Sequence, residues 1–271
     1  MADNLAQARH ELATANRIVS HEGIIDAFGH VSMRHPTNPN RYLISRSRSP
    51  EVVEPSDIYE YTLDSEPVTP LPAGIRGYGE LVIHGEIYRA RPDVNAVAHH
   101  HGMAMLPFCN VGVELKPLYH MGAQIGEKVA FWDSRDEFGD TCLLVIKPEE
   151  GRSLARALGP NWLVLLRRHG ATVAGRSLVE LVFRTIYQYR NAELQLATQT
   201  LGLPLSPLTP SERQQAEARN LEPRPLARAW EYWCTRLKKA GEYPAGAPKA
   251  ATTAKARGKS RTAPRARGRR R

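Results

Sequence analysis

The sequence predicts an α/β protein in which helices pack on a mixed or antiparallel sheet. The sequence contains short apolar, β-branched runs typical of strands, and longer stretches whose apolar residues recur at helical spacing. Their order lacks the strict strand–helix–strand alternation that parallel sheets require. The 271 residues suit one large domain, and the sequence contains no internal repeat.

The N-terminal half predicts two helices and four strands. Residues 4–22 have the spacing of an amphipathic helix. Strands are predicted in FGHVSMRHP and in NRYLISRSRSP, the second ending at Pro50, and a third short strand with an acidic hairpin lies in EPSDIYEYTLDSEPV. A helix in GELVIHGEIYRARPD ends before Pro92, and residues 94–98 predict a buried strand.

The C-terminal half predicts strands at 143–147 and 162–167, with the helix GRSLARALG between them. The longest helical pattern follows Ser177, a predicted N-cap, and ends at Gly202. PLSPLTPSERQQ predicts a proline-broken connector with a further N-cap, and a last helix spans about 224–240.

The net charge of +9 is concentrated at the C-terminus. Ten of the 37 basic residues lie within 249–271, where no acidic residue occurs. This segment is too polar to build a core, so we predict a folded body over 1–243 and a disordered basic tail over 244–271. We expect the tail to bind polyanions weakly and in a salt-sensitive manner. The lack of an accompanying aromatic or helical readout element disfavours dedicated nucleic-acid recognition.

Other compositional features predict a cytoplasmic protein. The sequence has no apolar run of the roughly 20 residues that span a membrane, and the N-terminus has no signal-peptide core. Three widely spaced cysteines do not suggest a disulfide framework.

Three consecutive histidines end the buried strand in NAVAHHHGM. Because side chains alternate along a strand, His99 and His101 share one face and His100 takes the other. His169 follows the apolar strand WLVLL, and Glu80 opens a helix. Three imidazoles and one carboxylate fit a divalent ion such as zinc, manganese, iron or cobalt. The alternative interpretation is a set of hydrogen-bonded structural imidazoles.

Several motifs resemble the class II aldolase/adducin family: GHVSMRHP, ELVIHGEIYRARPDVNAVAHHHG, LLRRHGATVAG and SLVELVFRTIYQYRNAELQ. The resemblance spans roughly residues 5–205. It implies that Glu80 is an acid/base residue and that His99, His101 and His169 ligate a metal. It also implies a three-layer α/β/α fold around a mainly antiparallel sheet, and a homotetramer with active sites at subunit interfaces.

Departures from the sugar-phosphate aldolases of this family concern the substrate. Those enzymes hold a phosphate with an asparagine after the first glycine, a T-P-T-G turn and a Ser-Ser pair before the glutamate. This chain has His30, SRSRSP and Tyr78-Gly79 instead. Arg46 and Arg48 suit carboxylates. DAFGHVS, LISRSRSPE and PLYHMGA look like the branch of decarboxylases acting on aromatic-catabolism intermediates.

We therefore expect a decarboxylase whose small carboxylate substrate chelates the metal through a hydroxy-keto or catechol unit. Arg46, Ser47 and Arg48 are expected to bind the substrate, with His30 near the departing carboxylate.

A carbon atom must gain a proton in this reaction, and Glu80 or His120 is expected to handle it. Tyr119 is expected to reach a neighbouring subunit's site. His84, one helical turn beyond Glu80, is expected either to react or to hydrogen-bond beneath the site.

Three other functions stay open. The first is a true aldolase that releases an aldehyde from a non-phosphorylated substrate. The second is a non-haem iron oxygenase that decarboxylates oxidatively. The third is a non-catalytic scaffold like the adducin head domains, which lack the metal ligands; the presence of all four site residues here argues against it.

Overall fold

A seven-stranded sheet forms the centre of the structure, a computed structural model that describes residues 2–126 and 128–246. The strands are β1 (Gly29–Arg34), β2 (Arg41–Ser45), β3 (Ile58–Thr62), β4 (Ala96–His100), β5 (Ala130–Trp132), β6 (Leu163–Leu166) and β7 (Gly170–Gly175). The helices are α1 (Ala2–His21), α2 (Leu81–Ala90), α3 (Leu106–Val111), α4 (Arg135–Phe138), α5 (Pro148–Leu158), α6 (Leu178–Gln199), α7 (Pro210–Asn220) and α8 (Pro223–Ala240). The predicted basic tail lies, from residue 247 onward, outside the described residues.

The sheet is mainly antiparallel. Its order is β3-β2-β1-β4-β7-β6-β5, and only the pairing of β5 with β6 is parallel among the strands that the structure describes. Consequently β4, which carries the histidines, lies at the centre between β1 and β7. The predicted class of sheet is confirmed.

Two helical layers cover the sheet. On one face, Leu12 of α1 and Phe183 of α6 share a buried core with Val173 of β7, and α8 packs in the same layer. On the other face, Ile83 of α2 and Leu154 of α5 belong to a second core. Successive strand residues point to opposite faces, so β6 supplies Leu163 and Leu165 to the first core and Val164 and Leu166 to the second. The three-layer α/β/α arrangement is confirmed.

The strand predicted at 143–147 is wrong. Leu143 has φ 68°, which a strand residue cannot adopt, and β5 takes the edge position beside β6 instead. The N–H group of Val145 donates to Glu80, and the next two N–H groups donate to the Glu150 carboxylate. Side-chain acceptors therefore satisfy this backbone, although its apolar composition resembles that of a strand.

Both predicted N-caps are present. Ser177 Oγ, at the start of α6, accepts the N–H of Glu180, and Thr209 Oγ1, at the start of α7, accepts the N–H of Glu212. The segment expected to be a connector therefore contains α7. No helix in the described residues has the length and apolar character needed to cross a membrane.

A fully buried arginine ties α6 to its neighbours. Arg184 donates through Nε to Glu180 at 2.8 Å, through one terminal nitrogen to the Gln124 carbonyl at 3.0 Å, and through the other to Glu217 of α7 at 3.0 Å. Its guanidinium also lies 4.6 Å from the centre of the Trp162 ring. One planar fork thus satisfies acceptors from three segments.

We expect Arg184→Lys to lower the free energy of unfolding by about 1–3 kcal/mol, because one ammonium nitrogen cannot reach all the acceptors that the three guanidinium nitrogens contact, which leaves a buried acceptor unpaired. Urea unfolding followed by circular dichroism measures the change. Arg190→Lys is the matched control on the same helix, since its exposed ion pairs contribute about 0–1 kcal/mol. Equal stability of both variants would show that the buried fork is unimportant.

Candidate metal centre and adjoining cleft

The ends of two neighbouring strands bring the three predicted histidines together. His99 is on β4, His101 follows the end of β4, and His169 lies in the turn between β6 and β7. The Nε2 atom of His101 is 3.2 Å from that of His99 and 3.0 Å from that of His169. The three rings therefore meet at one point, and their role as metal ligands stays a prediction.

His100 points the other way. Its ring is buried, and its Nδ1 accepts the N–H of Gly102 at 3.2 Å. The strand alternation therefore divides the histidine triplet, as expected, into two site residues and one structural residue.

Glu80 completes the cluster from the residue before α2. Its Oε2 is 3.7 Å from Nε2 of His99, and its Oε1 is 3.7 Å from Nε2 of His169. The four residues each offer a ligand atom, and these atoms lie within 4.8 Å of one another. Burial raises the pKa of Glu80 to about 7, although a 2.9 Å hydrogen bond from the Val145 N–H opposes the rise.

The three nitrogens fit one cation better than they fit each other. A ring nitrogen has a single in-plane site, which either donates or accepts, so hydrogen bonding satisfies at most one pair among three Nε2 atoms. Donors each about 2.1 Å from a shared ion are separated by distances like those seen here. Burial lowers the pKa of all three imidazoles, His169 to about 4, which favours the neutral form that binds metals.

Thr172 orients the buried ring of His99. Its Oγ1 lies 3.0 Å from Nδ1 of His99, across the pairing of β4 with β7. A partner on the second ring nitrogen fixes the orientation of a metal-binding imidazole. Sequence reasoning missed Thr172, because its position opposite His99 depends on the register of two strands far apart in the chain.

A cleft of about 360 Å³ opens beside the cluster. Its polar lining combines one end of the metal cluster with side chains from β1, the loop after β2 and the segment before α2. These polar residues are His30, Ser47, Arg48, Ser49, Tyr78, Glu80 and His101.

The two predicted arginines differ in position. Arg48 lines the cleft and donates to Asp57 Oδ2 at 2.6 Å, whereas Arg46 is not a lining residue and donates to Asp57 Oδ1 at 2.7 Å. Burial raises the pKa of Asp57, but hydrogen bonds from Arg46, the Glu54 backbone and Arg48 outweigh it and bring the pKa below its usual value. Asp57 is therefore a carboxylate that holds both arginines in place.

Tyr78 is a cleft residue that sequence reasoning did not assign to the site. Its hydroxyl donates to the Arg48 carbonyl at 2.6 Å, and its ring lies 4.6 Å from that of His30. The sequence signal that could have identified Tyr78 is the pair Tyr78-Gly79 before Glu80. The sugar-phosphate aldolases that the sequence resembles have a Ser-Ser pair there, so an aromatic ring stands in place of hydroxyls.

Tyr119 and His120 lie away from the cleft at Glu80. His120 begins a 3-10 turn that packs against α6 and α7, and its carbonyl accepts the Asn220 side-chain amide at 3.0 Å. His120 lines a different cleft, shared with Arg219. Within the described residues, the fold does not bring either predicted residue into the cleft at Glu80.

Comparison with known proteins agrees with this fold. Residues 10–196 match the Class II Aldolase and Adducin N-terminal domain, so the chain belongs to the class II aldolase/adducin family. It is 32% identical over 251 residues to the decarboxylase tropJ of Talaromyces stipitatus, covering 83% of this chain and 92% of that protein. It is 31% identical over 215 residues to a 3,4-dihydroxyphthalate decarboxylase of Arthrobacter keyseri, covering 76% and 85%.

Solved structures give the same fold. An aldolase II superfamily protein from Pseudomonas syringae superposes with a TM-score of 0.75 at 21% identity, covering 89% of this chain and 95% of that one. The predicted family and its decarboxylase-like branch are confirmed by these relatives together.

Proposed function

We propose that this protein is a divalent-metal-dependent carbon–carbon lyase that decarboxylates a hydroxy-keto or dihydroxy carboxylate of aromatic catabolism. The observation that carries the proposal is the convergence of three imidazoles and Glu80 next to a cleft that presents Arg48. The decarboxylase names of two relatives, each matching most of this chain, support the choice of reaction.

Loss of CO₂ leaves an electron pair on carbon, which must be delocalised into an adjacent oxygen. His99, His101 and His169 would hold the divalent ion, and a bound ion supplies positive charge beside the oxygen on which negative charge develops. Zinc, manganese, iron and cobalt all suit this donor set.

The side chains of this protein bind the substrate and transfer the proton. Arg48 binds and orients the substrate carboxylate, with Ser47 and His30 beside it in the cleft. The bond between carbon and the carboxyl group breaks, and CO₂ leaves. Glu80 gives a proton to the carbon that retains the electron pair, and no other carboxyl group belongs to the cluster in the described chain.

The decisive experiment uses the full chain with 3,4-dihydroxyphthalate as the first probe, followed by ring-opened muconate semialdehydes. We expect CO₂ release that stops after chelation and returns with one of the four ions. An aldehyde product without CO₂ would establish an aldolase, and oxygen consumption with iron bound would establish an oxygenase. Protein that binds no metal and is inactive would be a scaffold.

Arg48 and Arg46 provide a matched pair for substrate binding. We expect Arg48→Gln to raise KM by about 10- to 100-fold, because a hydrogen bond to a charged group contributes about 1.5–3 kcal/mol. Arg46→Gln removes the same charge from the same Asp57 but outside the cleft, so KM is expected to change less than about threefold. Steady-state kinetics measures both, and equal effects would contradict the assignment of Arg48.

The assembly that suits this function is a homotetramer with active sites between subunits. In one chain, Tyr119 and His120 lie apart from the cleft at Glu80. A neighbouring subunit that presents these two residues to the cleft would reconcile their position with the roles that the sequence analysis expects of them.

Mixing two inactive variants tests the shared site. If Glu80 comes from one subunit and His120 from the next, co-refolded Glu80→Gln and His120→Ala chains regain about a quarter of the wild-type activity, since both intact residues meet at random in that fraction of sites. Mixing Glu80→Gln with His99→Ala is the control and restores nothing, because those residues share one chain's cluster. No recovery in the first mixture would show that His120 does not complete the site of a neighbouring subunit.

A further inference from the structure

A continuous buried chain of hydrogen bonds leads from the cleft into the layer beneath it. His30 Nδ1 lies 2.6 Å from His84 Nε2, His84 Nδ1 lies 2.6 Å from Ser32 Oγ, and Ser32 Oγ lies 2.7 Å from the Tyr88 hydroxyl. His84, Ser32 and Tyr88 are each at most 1% exposed. None of the three lines the cleft, so none touches a substrate there.

The elements that build this chain are the same that build the metal centre. His30 and Ser32 are alternate residues of β1 and therefore share a face, and His30 pairs directly with His99 of β4. His84 and Tyr88 are one helical turn apart on α2, the helix that begins after Glu80. The chain of hydrogen bonds thus fixes β1 against α2 directly beside the cluster.

The donor and acceptor of each hydrogen bond in this chain follow from its buried end, the Tyr88 hydroxyl. In the described part of the protein, Ser32 Oγ is the acceptor that the Tyr88 hydroxyl reaches, so Tyr88 donates to Ser32. Ser32 then donates its own proton to His84 Nδ1. A neutral imidazole that accepts at Nδ1 carries its proton on Nε2, so His84 donates to His30 Nδ1.

The same reasoning fixes His30. Its Nδ1 accepts from His84, so its proton is on Nε2, which makes no hydrogen bond within the described residues. Burial lowers the pKa of His84 to about 3, in agreement with a neutral ring that donates to His30. His30 therefore presents an N–H donor to the cleft.

We propose that Tyr88, Ser32 and His84 are positioning residues that hold His30 as an Nε2–H donor toward a carboxylate oxygen of the substrate. The inference rests on the proposed function for the identity of that oxygen. With the proton on Nδ1 instead, His30 would direct a lone pair at the carboxylate and repel it. The buried hydroxyls thus select the tautomer that can bind an acid.

Nitrogen-15 NMR of histidine-labelled, zinc-saturated full-length protein tests this without any substrate. Protonated and unprotonated ring nitrogens have distinct shifts, and loss of signals in His30→Gln and His84→Gln assigns the two rings. We expect both rings to carry their proton on Nε2. A proton on Nδ1 of His30 would overturn the proposal, whereas failure to release CO₂ would refute only the proposed function.

Tyr88→Phe tests the buried end of the chain, and Tyr42→Phe is its matched control. Tyr42 is a buried tyrosine in the same layer, 5.6 Å from the Tyr88 ring, but its hydroxyl bonds to Ser65 and the Leu81 carbonyl. We expect Tyr88→Phe to give a mixture of His30 tautomers and a severalfold lower kcat/KM, and Tyr42→Phe to change neither.

Ser32→Ala breaks the chain at its middle, and Ser32→Thr restores a hydroxyl. We expect about a tenfold loss of kcat/KM in the first variant, carried mainly by KM, and recovery in the second. If Ser32→Ala retains a single Nε2–H tautomer of His30, or loses activity with no change of tautomer, the positioning role is refuted.

Discussion

Replacing His99 with alanine is expected to remove the bound divalent ion and to reduce CO₂ release by at least about 10³-fold. His99 is fully buried, and its Nε2 is one of three imidazole nitrogens that converge. A Lewis-acid metal contributes several kcal/mol of transition-state stabilisation, and each 1.36 kcal/mol is tenfold in rate. Elemental analysis and CO₂ release, measured on the same preparation, check both parts of the prediction.

His100→Asn is the matched control for this experiment. His100 is the adjacent, equally buried histidine, but it points to the opposite face, and asparagine keeps an acceptor for the Gly102 N–H. We expect this variant to retain its metal and most of its activity. If His99→Ala kept a full complement of metal, the cluster would be a set of structural imidazoles.

The parts of the site that were predictable from the sequence are those set by local geometry. His99 and His101 share a face because a strand has a period of two residues, and that period is visible in the sequence. His169 and Glu80 were predicted from a strand end and a helix start, and the family resemblance joined them. The sheet class followed from the irregular order of short strands and helices.

The parts that were missed depend on contacts between distant segments. Arg46 and Arg48 are alike in sequence and both donate to Asp57, and what distinguishes them is that Arg48 lines the cleft and Arg46 does not. The segment 143–147 has the composition of a strand, yet its N–H groups donate to the carboxylates of Glu80 and Glu150. Neither outcome is encoded in local propensity, because the first depends on where the fold places the cleft and the second on which carboxylates it brings near.

The buried chain of hydrogen bonds beneath the cleft also depends on contacts between distant segments. From its helical spacing to Glu80, His84 was expected either to react or to hydrogen-bond beneath the site, and in the structure it hydrogen-bonds to His30 and Ser32. Its partners are set by the register of β1 against β4 and by the packing of α2, both of which are non-local. A polar residue at a core position in a sequence thus signals a network whose members only the fold identifies.

Glu80→Gln is expected to separate the chemical step from metal binding. Glutamine keeps the size of the side chain and an acceptor for the Val145 N–H, while three imidazoles remain to bind the ion. It cannot give up a proton as a carboxylic acid does, so we expect kcat to fall by about 10²- to 10⁴-fold. Metal content, measured on the same sample, is expected to stay near one ion per chain.

Glu86→Gln is the matched control, because Glu86 is a buried carboxylate of α2 that faces Arg89 and Arg152 rather than the histidines. We expect kcat to change less than about threefold in this variant. If Glu80→Gln lost its metal, Glu80 would be primarily a ligand, and the proton would have to come from another residue such as His120. If it kept both metal and activity, the Glu80 carboxyl group would have no role in proton transfer, because the glutamine amide that replaces it cannot donate a proton as a carboxylic acid does.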